Sequence, residues 1–179
     1  MRVILDTCVL YPTVLRKILL ELASSGLFEP FWSEKIFEEL LNGSKKVGAL
    51  GQTQVRSEIA ILKSKWPESL VNPDGFDLSV LWLPDKNDRH VLASAISCKA
   101  DFIITLNIKD FPNGILGEFG LKNFTPDAFV RALRKCNSVC ITDVIRGVFK
   151  AVGQNYKTEI TLSRLLNKTY LPSMARLIT

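Results

Sequence analysis

A single histidine, His90, is the first shortage in this chain. Catalysis built on paired histidines is thereby excluded, and so is a histidine-rich metal cage. Cysteine is sparse and poorly spaced, since Cys8, Cys98, Cys136 and Cys140 contain no Cys-x-x-Cys pair. A structural zinc site would have to gather scattered ligands, so free thiols in a reducing compartment are expected. Cys136 and Cys140 are expected to share a helix face as buried thiols. No apolar run is long enough to span a bilayer, because charge interrupts each one within a few residues. The opening Met-Arg-Val-Ile-Leu-Asp loses its apolar run at Asp6, which argues against a signal peptide. Repeats and low-complexity segments are also missing. Together these shortages predict a soluble, cytoplasmic protein that does not enter a membrane.

What is present suffices for a core. Of 179 residues, 47% are hydrophobic, which fits one domain with room for an appendage and argues against disorder. The formal charge of +5 permits a nucleic-acid partner without demanding one.

Val3 to Leu5 reads as a buried strand that stops on Asp6. Pro12 stands at a plausible first helical position, with Val14, Leu15, Ile18, Leu19 and Leu22 at amphipathic spacing up to Ser24. Arg16 and Lys17 on that helix read as solvated surface charge. Leu27 to Trp32 reads as a second strand, which Pro30 should place at an edge or interrupt. Ser33 is an N-cap candidate for a helix from Glu34 to Leu41, closed by Asn42-Gly43. Val55, Ile59, Ile61 and Leu62 carry a further helix that stops at Pro67. With the polar stretch after it, including the turn at residues 72–75, it reads as an insertion or lid. Val80 to Leu83 is expected to be the next strand.

The stretch from Pro84 to Phe111 organises the rest. Asp85 and Asp88 stand where a loop becomes a helix, and Val91, Leu92, Ala95 and Ile96 recur at helical spacing behind them. Phe102, Ile103 and Ile104 form a short strand that ends in the polar turn of Thr105, Asn107 and Asp110. Pro112-Asn113-Gly114 reads as a turn, Leu121 to Phe124 as a last strand, and Pro126 as the start of a helix to about Lys135. Everything from Asn137 onward is helical in pattern, with Leu177 and Ile178 ending it without evident cover.

Two apolar strands that each end on a carboxylate are how an open sheet collects charge at its carboxyl edge. Asp6, one of Glu38 or Glu39, Asp88 and Asp110 come from separate elements, and helical periodicity does not choose between the two glutamates. If the fold gathers these acids, each pair at about 4 Å repels by about 4 kcal/mol at an effective dielectric near 20. Protons or a hard divalent cation must then neutralise them, and oxygen donors of this kind suit Mg²⁺ or Mn²⁺. Such chemistry needs no histidine base and no serine or cysteine nucleophile. Asp85 is a leftover acid near the same loop, and Asp101 precedes its strand at the wrong end.

Four motifs in order resemble the PIN-domain ribonucleases, the family that includes VapC-type toxins. They are Val-Ile-Leu-Asp6-Thr-Cys-Val-Leu-Tyr, Trp-Ser-Glu-Lys-Ile-Phe-Glu-Glu39-Leu, Asp88-Arg-His-Val-Leu-Ala-Ser-Ala and Ile-Ile-Thr105-Leu-Asn107-Ile-Lys-Asp110-Phe. The resemblance implies a three-layer α/β/α fold with a small central parallel sheet, over residues 1–135. A C-terminal helical extension would occupy 136–179. It implies Mg²⁺ or Mn²⁺ held by Asp6, Asp88 and Asp110, with Asp6, Glu39, Asp88 and Asp110 as the catalytic acids. Its acid stands immediately before the leucine, which selects Glu39 over Glu38. Thr105 would orient an acid or a water, and Asn107 would offer its amide oxygen where many relatives carry an aspartate. The implied activity is metal-dependent endoribonucleolytic cleavage of RNA by the toxin of a toxin–antitoxin pair. A protein antitoxin and homodimerisation are the implied partners. Asn107 sustains an alternative, a degenerate PIN domain that binds RNA or protein without cutting. A phosphotransferase of the haloacid dehalogenase kind fits less well, because Cys8 stands where that family needs its second aspartate. His90 is expected to be packed or hydrogen-bonded rather than to transfer protons.

Overall fold

The structure, a computed structural model, describes residues 1–73, 75–153 and 160–178. Asp74, part of the expected turn at 72–75, lies outside the described residues. Five strands form one sheet: β1 (Arg2–Leu5), β2 (Glu29–Ser33), β3 (Leu70–Val71), β4 (Phe102–Ile104) and β5 (Lys122–Phe124). All pairings are parallel and the order is β3-β2-β1-β4-β5. The central strands β1 and β4 are short apolar runs because helices cover both of their faces, and Val3, Ile4, Leu5, Ile103 and Ile104 are fully buried. Their register pairs Leu5 with Ile104, and the Asp6 amide continues the ladder to the Ile104 carbonyl at 3.1 Å. Strand order reverses between β1 and β4. In an open parallel sheet the carboxyl side of that reversal is where a crevice forms.

One helical layer is built around α2 (Thr13–Ser24), which packs on α8 (Ser138–Gly153). In turn α8 meets α7 (Pro126–Cys136) and α9 (Leu162–Lys168), and α10 (Pro172–Ile178) packs on both α7 and α9. The other layer holds α5 (Arg89–Ser97) against β1 and β2, and α3 (Glu34–Ser44) against α4 (Gly48–Lys65). The single turn α1 (Thr7–Leu10) bridges from β1 to α2 and α3. The last helix, α6 (Asn113–Glu118), returns the chain from β4 to β5. Phe129 of α7 meets Phe28 edge-on at 5.2 Å and stacks obliquely near Phe102 and Phe124. The Asp127 carboxylate of α7 accepts the backbone amide of Ser173 at 2.9 Å. The described helices after residue 135 contribute apolar side chains to the same buried core as the sheet.

Several expectations are corrected. Residues 80–83 are not a strand: Leu78–Val80 is a short 3₁₀ turn, and the run after it pairs with no neighbour among the described residues. Leu81 and Leu83 are buried and Val80 and Trp82 exposed, but the sheet edge is taken instead by β3. Pro30 sits inside an interior strand, not an edge one. It is tolerated because β3 pairs only with Trp32 and Ser33, leaving the Pro30 flank open. Helix α3 runs through Asn42-Gly43 to Ser44, and Pro12 precedes α2 as its N-cap. Pro112-Asn113-Gly114 opens α6 and is not an isolated turn. Cys136 is exposed and Cys140 half-buried. At the C-terminus Ile178 is buried while Leu177 stays exposed.

The α4 segment packs on α3 and is pinned to α2 by an ion pair between Glu58 and Arg16, so it is not a free lid. Arg16 is buried, against the expectation of a surface charge, and it also donates to the Leu10 carbonyl. Burial weakens its hold on its proton, and Glu58 counteracts that. Removing the partner of a buried charge typically costs about 3–5 kcal/mol. Glu58 is partly solvated, so Glu58→Ala is expected to lower unfolding stability by about 2–3 kcal/mol. Urea denaturation measures it, and a change below about 0.5 kcal/mol would contradict the assignment.

Candidate active site

The carboxyl ends of β1 and β4 and the start of α5 border a cavity of about 440 Å³. Asp6, Glu39, Asp88 and Asn107 line it, together with Thr7, Cys8, Leu106 and two tyrosines, Tyr11 and Tyr170. Three of the four acids expected from the sequence thus face one space. Asp110 is not among the lining residues. It closes the 3₁₀ turn Ile108–Asp110 and acts on the cavity through its charge, which is felt at Asp88. In the tie between the two glutamates, Glu38 points to solvent and pairs with Lys35 at 3.1 Å, while Glu39 enters the cavity.

Asp6 follows β1 because the apolar run ends there, and it is almost fully buried. Its Oδ2 accepts the hydroxyl of Thr105 at 2.7 Å and the thiol of Cys8 at 3.0 Å. Thr105, itself buried at the end of β4, also accepts the Asn107 amide at 2.9 Å. One hydroxyl therefore fixes the Asp6 carboxylate and the turn that carries Asn107. Cys8 adds a second tie by accepting the Leu106 amide at 3.1 Å. Burial first, and then the charge of Asp6, push its thiol up to about 12, so it remains a proton donor and not a nucleophile.

Glu39 is carried by α3, whose start is capped by the Ser33 hydroxyl accepting from the Ile36 amide at 3.4 Å. Its Oε2 accepts from Thr7 at 2.7 Å, and its Oε1 lies 2.8 Å from Nε2 of His90. Burial pushes this carboxyl up, but the bonds from His90 and Thr7 outweigh that and hold it below the ordinary range. Glu39 is therefore ionised and fixed at both oxygens. His90 is hydrogen-bonded, as expected, and its partner is an acid of the cavity.

Asp88 is the contrasting case. It ends the 3₁₀ turn Lys86–Asp88 ahead of α5, and Asp85 anchors that turn by accepting the Asn87 amide at 2.8 Å. Its Oδ2 is buried with no hydrogen-bond partner. Burial, followed by the charges of Asp6, Asp85, Asp110 and Glu39, raises its pKa from 3.8 to about 6. Asp101 accepts the Arg2 amide at 2.7 Å at the far edge of the sheet, away from this cluster.

A hard cation fits the chemistry of this cavity. The available donors are carboxylate and amide oxygens, and one buried carboxylate oxygen lacks any partner. Among the described residues no three His, Cys, Asp or Glu side chains are drawn together into a ready-made cage. The bonding of Cys8 to Asp6 was not foreseen from the sequence, and Tyr11 and Tyr170 were not singled out. No local signal marks Tyr170, whose place here depends on α9 and α10 folding back over the sheet.

A family profile described as PIN domain matches residues 2–109, well over half of the chain. Among characterised sequences, the Mycobacterium tuberculosis protein named "Putative ribonuclease VapC50" is 44% identical over 43 residues. That alignment covers 24% of this chain and 25% of the relative, so the likeness spans about a quarter of either protein. No solved structure matches significantly.

Proposed function

The chain belongs to the PIN-domain family, and on that footing we propose that it is an endoribonuclease dependent on Mg²⁺ or Mn²⁺, acting as the toxin of a toxin–antitoxin pair. The observation that carries the proposal is the convergence of Asp6, Glu39 and Asp88 on one cavity, with the buried Oδ2 of Asp88 left unpartnered. Asp6 and Asp88 would hold the cation, with Asp110 supplying further negative charge from the adjoining turn and Asn107 an amide oxygen. When bound, a divalent cation would neutralise the acids and supply Lewis-acid activation of water and of the scissile phosphate.

The chain's own residues do the rest. Thr105 and Cys8 keep Asp6 from rotating away from the cavity. Glu39, ionised and held by Thr7 and His90, would help to orient an attacking water. The partner expected in a cell is a protein antitoxin, since free ribonuclease activity would require restraint. RNA and that antitoxin are the proposed partners, together with a second copy of the chain and a cytoplasmic setting. No helix among the described residues is long and apolar enough to cross a membrane. The proposed organisation is a PIN-like nuclease domain over residues 1–135 with a C-terminal helical extension over 136–179 that packs on it.

The direct assay incubates the protein with RNA in Mg²⁺ or Mn²⁺ and then with a chelator. Cleavage that stops on chelation supports the proposal, and cleavage that continues contradicts it. A second reading rests on Asn107, a neutral residue lining the cavity in place of an acid. In that reading the chain binds RNA without cutting it, and binding with no cleavage under either cation selects it.

Removing the anchor of Asp6 gives a sharper test. Thr105→Val is expected to reduce cleavage about 10- to 100-fold, as loss of a residue that orients a metal-holding group typically does. Thr105→Ser keeps the hydroxyl and should retain most activity. Equal activity of the valine and serine variants would dismiss the role of that bond.

A further inference from the structure

Tyr11 and Tyr170 line the carboxylate cavity, and both rings are substantially exposed, 41% and 50%. They come from opposite ends of the chain. Tyr11 follows α1, and its hydroxyl reaches the Gly43 carbonyl at 3.3 Å. Its ring lies over Gly43, where a Cβ atom would stand only 3.1 Å away, so the glycine makes room for it. Tyr170 sits just past α9 in the left-handed region, with φ of 61°.

That backbone setting is unusual. The Leu171 amide bonds the Leu166 carbonyl at 2.9 Å, which makes Tyr170 the left-handed residue of a helix-ending motif that favours glycine. The ends of α2 and α6 use Gly26 and Gly120 for the same purpose. A tyrosine there is strained, and its half-exposed ring gains little burial in compensation. Lys99, the other such residue among those described, ends α5 at the opposite edge of the sheet. A strained, exposed aromatic beside a cluster of acids therefore calls for an external contact.

We infer that Tyr11 and Tyr170 are base-stacking residues of the RNA site, each ring taking one unpaired base beside the acids. This deepens the ribonuclease reading and rests on it. Flat aromatic rings hold unpaired bases by stacking, whereas the bases of an A-form duplex are already stacked and paired. A cavity of about 440 Å³ accommodates one nucleotide unit beside the acids. The C-terminal helices thus supply part of the substrate site by delivering Tyr170 to it.

The test measures binding of a labelled single-stranded oligoribonucleotide and its duplex by fluorescence anisotropy at low salt. The Asp6→Asn background is used, because it removes one repelling charge and prevents cleavage. Tyr11→Ala and Tyr170→Ala are each expected to weaken single-strand binding about 5- to 100-fold, the range of one base–aromatic stack. Tyr170→Phe should bind within about twofold of the parent, since the ring alone stacks. Tyr170→Asn separates binding from folding: an asparagine suits the left-handed position, so its melting temperature should rise while affinity falls. Phe119→Ala, which removes an exposed ring outside the cavity, should leave affinity unchanged. Unchanged affinity in Tyr170→Asn, equal binding of duplex and single strand, or no binding of either would overturn the inference. Cleavage by the unsubstituted protein is scored separately. Cleavage with tyrosine-independent binding defeats the stacking role alone. Tyrosine-dependent binding without cleavage supports the stacking role and defeats the nuclease reading.

Discussion

Asp88→Asn is expected to make the cation-free protein more stable and to reduce RNA cleavage by at least about 100-fold. Both effects follow from one charge. In the folded chain burial, and then the charges of Asp6, Asp85, Asp110 and Glu39, push the Asp88 carboxyl up from 3.8 to about 6. The folded state therefore binds this proton more tightly than the unfolded chain does. Stability is unaffected by Asp88 below about pH 4, falls as pH climbs through about 6, and has lost the full amount above that. Taken at face value the displacement is worth about 3 kcal/mol. Solvent reaching the half-buried carboxylate reduces this to about 1–2 kcal/mol. An asparagine never carries the charge, so its melting temperature should exceed the parent's by roughly 2–6 °C at pH 8 and match it at pH 4. Cleavage falls because one holder of the cation is gone. Calorimetry at the two pH values, paired with an RNA cleavage assay, measures both effects. A destabilised asparagine variant at pH 8 would show that Asp88 is a structural acid and not a strained functional one.

Divalent cation is expected to reverse that penalty in the parent protein. Whatever binds only the folded state stabilises it by RT ln(1 + [L]/Kd), about 2.7 kcal/mol at a hundredfold excess over Kd. For a chain of this length that raises the melting temperature by roughly 5–10 °C. Mn²⁺ should produce the shift in the parent and lose most of it in Asp6→Asn, whose fold is preserved because Thr105 can still bond the amide oxygen. Asp101→Asn, at the far edge of the sheet, should respond as the parent does. A shift of equal size in Asp6→Asn would place the cation elsewhere.

Much of the site was legible because its residues lie where chain pattern changes. Asp6 stands at the end of an apolar run, and Asp88 at the junction of loop and helix, so punctuation made both of them candidates. Glu39 was not separable from Glu38 by periodicity, because both flank the buried stripe of α3 at similar angles. The choice needed either the family motif or the bonds from Thr7 and His90. Cys8 and Tyr170 were out of reach for a different reason. A lone thiol carries no pattern, and Tyr170 reaches the cavity only through contacts between elements far apart in sequence.

The fold shows the same division. Strands β1 and β4 were readable as apolar runs, since burial on both faces writes itself into composition. The strand expected at residues 80–83 failed because a short apolar run reports burial and not pairing. Leu81 and Leu83 are buried without a ladder. Two-residue β3 is too short to leave any periodic trace, and Arg16 looked like surface charge because its partner Glu58 lies on another helix.

The central claim is that the acids of this cavity form one electrostatic unit that a cation relieves. Titration of the Asp88 carboxyl by carbon-13 NMR, with and without Mg²⁺, addresses it most directly. The expected result is a midpoint near the raised value of about 6 in the absence of cation, falling below about 4 when Mg²⁺ is in excess. A midpoint at the ordinary aspartate value that Mg²⁺ does not move would contradict the account.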